Sequence, residues 1–200
     1  MWPGVYAEWL VEHGAQVIAV DISPRMVALA RKRLKGRAAV HLADLGRPLD
    51  FLEDGTFDLV LSPLVLDYIE DWSKVFAEFS RLLRDSGLLI FSVEHPFTKF
   101  TLHGTEDYFA TERVETEWTG FGIRVRMPSY RRPLGAMFAP LAETGFVVER
   151  IIEPRPTEAF RRADPEGYER LSKQPGFLCV RARKRSDFRP IRLWTHDRRV

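Results

Sequence analysis

The 200-residue sequence predicts an α/β fold: a mostly parallel sheet with crossover helices, a hairpin insertion, and a terminal antiparallel strand pair. Three observations predict it. Short apolar runs rich in β-branched residues alternate with helical stretches up to residue 93. The hydrophobic period switches to two across 113–127. Two last strand-like runs, 146–152 and 177–183, lack a crossover helix patterned to pack on the sheet.

Taken in order, residues 5–13 read as a helix stopped by Gly14, and 16–21 as a buried parallel strand. Ser23-Pro24 is a helix start, with Ser as N-cap and Pro at the first helical position. Met26, Val27, Ala30 and Leu34 share one face of that helix. Arg31, Lys32, Arg33 and Lys35 crowd its end, where they complement the helix dipole. Residues 38–43 form a second strand and 57–61 a third. Asp71 caps a helix bearing Val75, Phe76, Phe79, Leu82 and Leu83 on one face. Asp85-Ser86-Gly87 then turns into a strand over 88–93. A hairpin follows, 113–118 against 121–127, with a Glu/Arg-laced outer face. Arg132-Pro133 opens a helix ended by Gly145, and a charged helical excursion spans about 157–173. The expected organisation is one domain over 1–184, a cap insertion over 94–132, and a basic tail, without order, over 185–200.

Composition excludes several classes. The single cysteine, Cys179, rules out a disulfide framework, reads as packing, and points to a reducing, cytoplasmic setting. No apolar run is long enough to span a membrane, and the amino terminus lacks the pattern of a secretory signal. Net charge is +2, with a surplus of basic groups in the tail (five Arg, two Asp over 185–200), so the body calls for no nucleic-acid partner. The five histidines show no metal-ligand spacing, and no Ser-His-Asp arrangement is visible.

Ligands of open parallel sheets bind at the carboxyl ends of the strands. Gly4, Asp21, Asp44 and Ser62 stand there. An acid at Asp21, directly before a helix cap, suits the two ribose hydroxyls of an adenosine cofactor. An acid at Asp44 suits an adenine amino group. Either could equally cap a turn; their occurrence on consecutive strands favours adenosine.

The stretches VIAVDISPRMVALARKRL, HLADLGRPLDFLEDGTFDLVLSPLVLDYIEDW, RLLRDSGLLIFSVEHPF, and PLAETGFVVERIIEPRP with GFLCVRARK together resemble class I S-adenosylmethionine-dependent methyltransferases. The likeness is to the group that includes ubiquinone and menaquinone C-methyltransferases, and it covers about residues 3–184. It implies a Rossmann-like sandwich, S-adenosylmethionine as cofactor, and a cofactor site of Gly4, Asp21, Ile22, Asp44, Leu45 and Ser62, with Asp44 and Leu45 flanking the adenine. One departure stands out. The family opens with a strand and a Gly-x-Gly-x-Gly loop; here only Pro3-Gly4 matches, with Trp2 at a glycine position. The first strand, which lies between those at 16–21 and 57–61, is expected to be missing.

In-line methyl transfer mainly needs alignment and exclusion of water, with a general base optional. His95, at the carboxyl edge of its strand, is a candidate base or a turn residue before Pro96. Tyr130 and Arg131, between hairpin and helix, are candidates to orient the acceptor, or Arg131-Arg132 form a solvated pair. Phe97, Phe100, Tyr108, Phe109 and Trp118 read as a cap over a small, partly apolar acceptor or as plain core. The leading expectation is methyl transfer to a small molecule, with a divergent non-catalytic domain second and an NAD-dependent oxidoreductase behind it.

Overall fold

The computed structural model describes residues 3–104, 106–120 and 123–186. Helix α1 (Val5–Glu12), strand β1 (Ile18–Asp21), helix α2 (Pro24–Leu34) and strand β2 (Ala39–Leu42) come first. Strand β3 (Phe57–Pro63), a single 3-10 turn (Leu66–Tyr68), helix α3 (Trp72–Leu82) and strand β4 (Leu83–Glu94) follow. Helix α4 (Pro96–His103) leads to strands β5 (Glu112–Gly120) and β6 (Ile123–Arg131). Helix α5 (Leu134–Glu143), strand β7 (Phe146–Ile152), helices α6 (Glu158–Ala163) and α7 (Pro165–Lys173), and strand β8 (Phe177–Lys184) complete the order.

Local chemistry sets the helix starts. The Ser23 hydroxyl accepts the Met26 amide at the head of α2, with Pro24 at the first helical position. The Asp71 carboxylate accepts the Ser73 and Lys74 amides at the head of α3.

The strands form three sheets. β1 and β2 pair in parallel, with Asp21 opposite Leu42. β3, β4, β8 and β7 lie in that order: β3 and β4 are parallel, and β8 runs antiparallel to both β4 and β7. The antiparallel close is therefore as the sequence predicts. β5 and β6 make an antiparallel sheet of their own. Among the described residues, no strand precedes α1 and none pairs with the second edge of β1 or of β3. In the resembled fold one strand lies between those two edges.

Two apolar clusters match the β1–β2 sheet and the four-stranded sheet. Val27, Ala30, Leu34 and Val40 pack α2 against β2. The larger cluster runs from Leu66 to Ala182 and contains Trp72, Phe76, Phe79, Phe91 and Phe146. Leu45, just after β2, packs on this larger cluster, so the chain there ties one part to the other. A second tie is Arg81, which donates to the Leu49 and Leu52 carbonyls and pairs with Glu78 and Asp54.

Some elements differ from expectation. Leu83 begins β4 instead of ending α3: it pairs with Phe57, and the chain bulges through Arg84–Gly87 before Leu88 meets Leu59. Ser86, with φ of 61°, takes the turn within that bulge. Helix α4 and the 3-10 turn were not apparent from the sequence. Tyr130 and Arg131 lie inside β6, not between hairpin and helix, because the β5–β6 ladder continues to Glu112 opposite Arg131. The excursion near 157–173 is two helices broken at Asp164. Cys179 is half-buried on β8, and burial raises its thiol pKa. No helix among the described residues is long and apolar enough to cross a membrane. The basic tail falls, from residue 187 onward, outside the described residues.

Candidate functional site

The carboxyl ends of β1 and β2 carry the two predicted acids on neighbouring strand ends. The Ala43 amide donates to the Asp21 carbonyl at 3.1 Å, and Asp44 is the next residue. Asp21 Oδ1 accepts the Ser23 amide at 2.8 Å, which fixes the carboxylate at the start of α2. Among the described residues its Oδ2 has no hydrogen bond. Asp44 Oδ1 accepts the Gly46 amide at 2.8 Å, and Arg47 lies 3.8 Å from Oδ2. Both acids thus use one oxygen to brace a turn, and among the described residues the other accepts no hydrogen bond. Ile22, between strand and cap, is 66% exposed.

Gly4 is buried at the head of α1, with φ of 75°. A Cβ there would sit 3.3 Å from both Ala30 Cα and Ala30 Cβ. This glycine is needed for the close approach of α1 to α2 as well as for its backbone conformation.

Ser62, near the end of β3, is 5% exposed, and its Oγ has no partner. A buried hydroxyl without a hydrogen bond is costly and uncommon. Two residues on, Leu64 has φ of 53°, a left-handed conformation rare for leucine, and its amide donates to the Ser92 carbonyl. The chain leaves β3 here through a strained turn. No β-ladder joins Ser62 to the β1–β2 pair.

On the other side, His95 is buried with both ring nitrogens engaged. Its Nδ1 accepts the Phe97 amide as the N-cap of α4, and its Nε2 lies 2.9 Å from Glu153 Oε1. Tyr130 donates its hydroxyl to Glu70 at 3.2 Å. Arg131 is 1% exposed and donates to the Asp107 carbonyl and the Glu112 carboxylate, at 2.9 and 2.8 Å. Arg132 is also buried. Its guanidinium lies 4.3 Å from the Trp72 ring centroid and donates to the Ile69 and Glu70 carbonyls. Burial pushes its pKa down to about 10, against the pull of Asp67, so it remains a cation at neutral pH. The two arginines are therefore not a solvated pair; they clamp the hairpin base to the core.

Of the predicted aromatic set, Phe97 and Phe109 are exposed. Phe100 meets Tyr108 edge-on at 5.6 Å, and Tyr108 meets Phe109 at 5.4 Å. The Trp118 side chain lies outside the described residues.

The sequence reading missed a buried network. Lys99 of α4 is 1% exposed. Its Nζ lies 2.9 Å from Asp67 Oδ1 and 3.4 Å from Glu94 Oε2, and it donates to Ser129 Oγ and the Tyr130 carbonyl. Asp67 Oδ2 accepts the Glu94 amide at 3.0 Å. Four elements meet there: the 3-10 turn, β4, α4 and β6. Among the described residues no group of His, Cys, Asp and Glu is arranged to hold a metal ion.

Residues 3–91 match a family model described as a methyltransferase domain. The crystal structure of an S-adenosylmethionine-dependent methyltransferase from Mesorhizobium loti superposes with a TM-score of 0.69 at 29% identity, over 90% of this chain and 86% of that one. The malonyl-[acyl-carrier protein] O-methyltransferase of Serratia marcescens is 33% identical over 91 residues, 44% of this chain but only 34% of that enzyme. An uncharacterized protein of Haemophilus influenzae is 26% identical over 199 residues, 90% of this chain and 77% of its own length.

Proposed function

We propose that the chain is a class I S-adenosylmethionine-dependent methyltransferase that transfers a methyl group to a small-molecule acceptor, with the cofactor held by Gly4, Asp21, Ile22, Asp44, Leu45 and Ser62. The single observation that carries this site is the pair of braced carboxylates on adjacent strand ends. The residues fit the group. Asp21 keeps one oxygen for ribose hydroxyls, exposed Ile22 offers an apolar surface to a purine, and the orphaned Ser62 hydroxyl is a polar group in want of a partner.

When bound, the cofactor supplies an electrophilic methyl group on a sulfonium. The work left to the chain is to bind, align and exclude water. Asp21 and Asp44 would bind, each already immobilised by a backbone amide, so little side-chain entropy remains to be lost on binding. Alignment of the acceptor would fall to groups at the carboxyl edge of β3 and β4. With both ring nitrogens of His95 occupied, its role as a base would require the Glu153 or Phe97 contact to break.

The matches to O-methyltransferases of acyl carrier proteins cover under half of this chain, so they support the donor and leave the acceptor open. Isothermal titration with S-adenosylhomocysteine tests the reading. Saturable binding to this chain, lost in Asp21→Ala with the fold retained, supports it. Unaltered binding to Asp21→Ala, or none to the folded chain, overturns the assignment of the site.

A further inference from the structure

The Lys99 network is more than a structural clamp. A buried lysine needs one carboxylate to balance it, and Asp67, itself 5% exposed, supplies that charge at 2.9 Å. Glu94 is then a second, surplus carboxylate. Its side chain is 45% exposed, and it reaches Lys99 through Oε2 alone, at 3.4 Å. Among the described residues Oε1 makes no hydrogen bond. Glu94 also sits at the carboxyl end of β4, beside β3, the edge at which open parallel sheets take their ligands.

Lys99 meets two carboxylates, Asp67 and Glu94, so this cluster carries one negative charge in surplus. The Glu70 carboxylate accepts the Tyr130 hydroxyl, and the Arg132 guanidinium donates to the Ile69 and Glu70 carbonyls. Asp71 is paired with Lys74, and His95 with Glu153. Burial raises the pKa of the Tyr68 phenol, and the charges of Asp67 and Glu94 add to the rise. Tyr68 is nevertheless 46% exposed. An accessible aromatic ring beside an unspent carboxylate is the chemistry that recognises an organic cation.

From this geometry we infer that Glu94, oriented by the buried Lys99, binds the methyl acceptor, and that the acceptor carries an amine. The inference rests on the methyltransferase reading above and names the substrate class for that site. Lys99 is a positioning residue: it holds the Glu94 carboxylate without touching the acceptor. Asp67 shares this role through its bond to the Glu94 amide.

The test uses three probes with one aromatic body: phenethylamine, 2-phenylethanol and 3-phenylpropionate. Their binding to the chain is measured by calorimetry with and without S-adenosylhomocysteine. The inference expects the amine to bind at least tenfold more tightly than the carboxylate. Glu94→Gln should erase that preference while leaving S-adenosylhomocysteine affinity within twofold. Lys99→Met should weaken it, and Lys99→Arg should restore part of it, a pattern that loss of packing alone would not produce. Glu94 is half exposed, so its variant keeps the experiment decisive even where Lys99→Met fails to fold. An amine that binds no better than the carboxylate, absence of binding included, overturns the inference, as does a preference that survives Glu94→Gln. Failure of S-adenosylhomocysteine binding with the amine preference intact would instead strike the cofactor site alone.

Discussion

The β1–β2 unit and the β3-β4-β8-β7 unit carry different burdens. The first is two strands and helix α2, with α1 packed on α2, around four buried apolar residues. The second buries a cluster rich in aromatic side chains, with Phe76 in ring contact with Trp72, Phe79, Phe91 and Phe146. The smaller unit buries far less apolar surface than the four-stranded one, so it should be the more easily opened of the two. Yet the first unit bears both candidate cofactor acids. The proposed cofactor site thus takes both its acids from the smaller unit and only Ser62 from the larger, whereas most of the buried core lies in the larger, so substitutions in the two cores should act differently on site and stability.

The comparison breaks most visibly at its cores. Phe76→Ala, at a fully buried site, should cost about 3–5 kcal/mol and unfold the whole chain at lower temperature, read by calorimetric melting. Leu34→Ala, equally buried in the small cluster, should cost about 2–5 kcal/mol locally. Its effect should show as faster amide exchange over 18–42, with β4 and β8 protected as before. Equal loss of protection in both sheets would refute the separation.

The tie between the units gives a smaller effect with a pH signature. Glu78 is held below the usual carboxylate range chiefly by its hydrogen bond to Arg81, with the Leu49 amide assisting. A depressed folded pKa adds stability above the unfolded value of about 4.3 and loses it as pH falls through the folded one. Glu78→Gln should therefore lower the melting temperature at neutral pH by an amount worth on the order of 1 kcal/mol. The gap to the parent should close in acid. Smallest of all, Ser62→Ala removes an unpaired buried hydroxyl, so it should leave the ligand-free chain as stable or slightly more so. It should nonetheless weaken S-adenosylhomocysteine binding.

How far the sequence revealed this depends on the range of the interactions. Ser23-Pro24, Asp71, and the strand–helix alternation are signals within one turn or one strand, and the structure matches them. The placement of Asp21 at the end of β1 and of Asp44 just beyond β2 was legible because a strand end is a local event. The Lys99 network was not, because Asp67, Glu94, Lys99 and Ser129 converge from four elements. Helix α4, PFTKFTLH, mixes aromatic, β-branched and basic residues without a clear stripe, so its helix was hidden too. Arg131 and Arg132 read as surface charge because a guanidinium satisfied partly by carbonyls leaves no acidic partner at a fixed spacing for a reader to find. Tyr130, next to Arg131 in sequence, was the one local hint, since the Trp72 ring that meets Arg132 lies sixty positions away.

The claim that the β1–β2 unit is the cofactor-bearing and more easily opened part is tested most directly by amide hydrogen exchange of the chain with and without S-adenosylhomocysteine. The account predicts faster exchange over 18–42 than in β4 and β8 when ligand is absent, and a slowing centred on 20–23 and 43–46 when it is added. Exchange that slows uniformly across both sheets, or that does not change in a folded chain at saturating ligand, would contradict it.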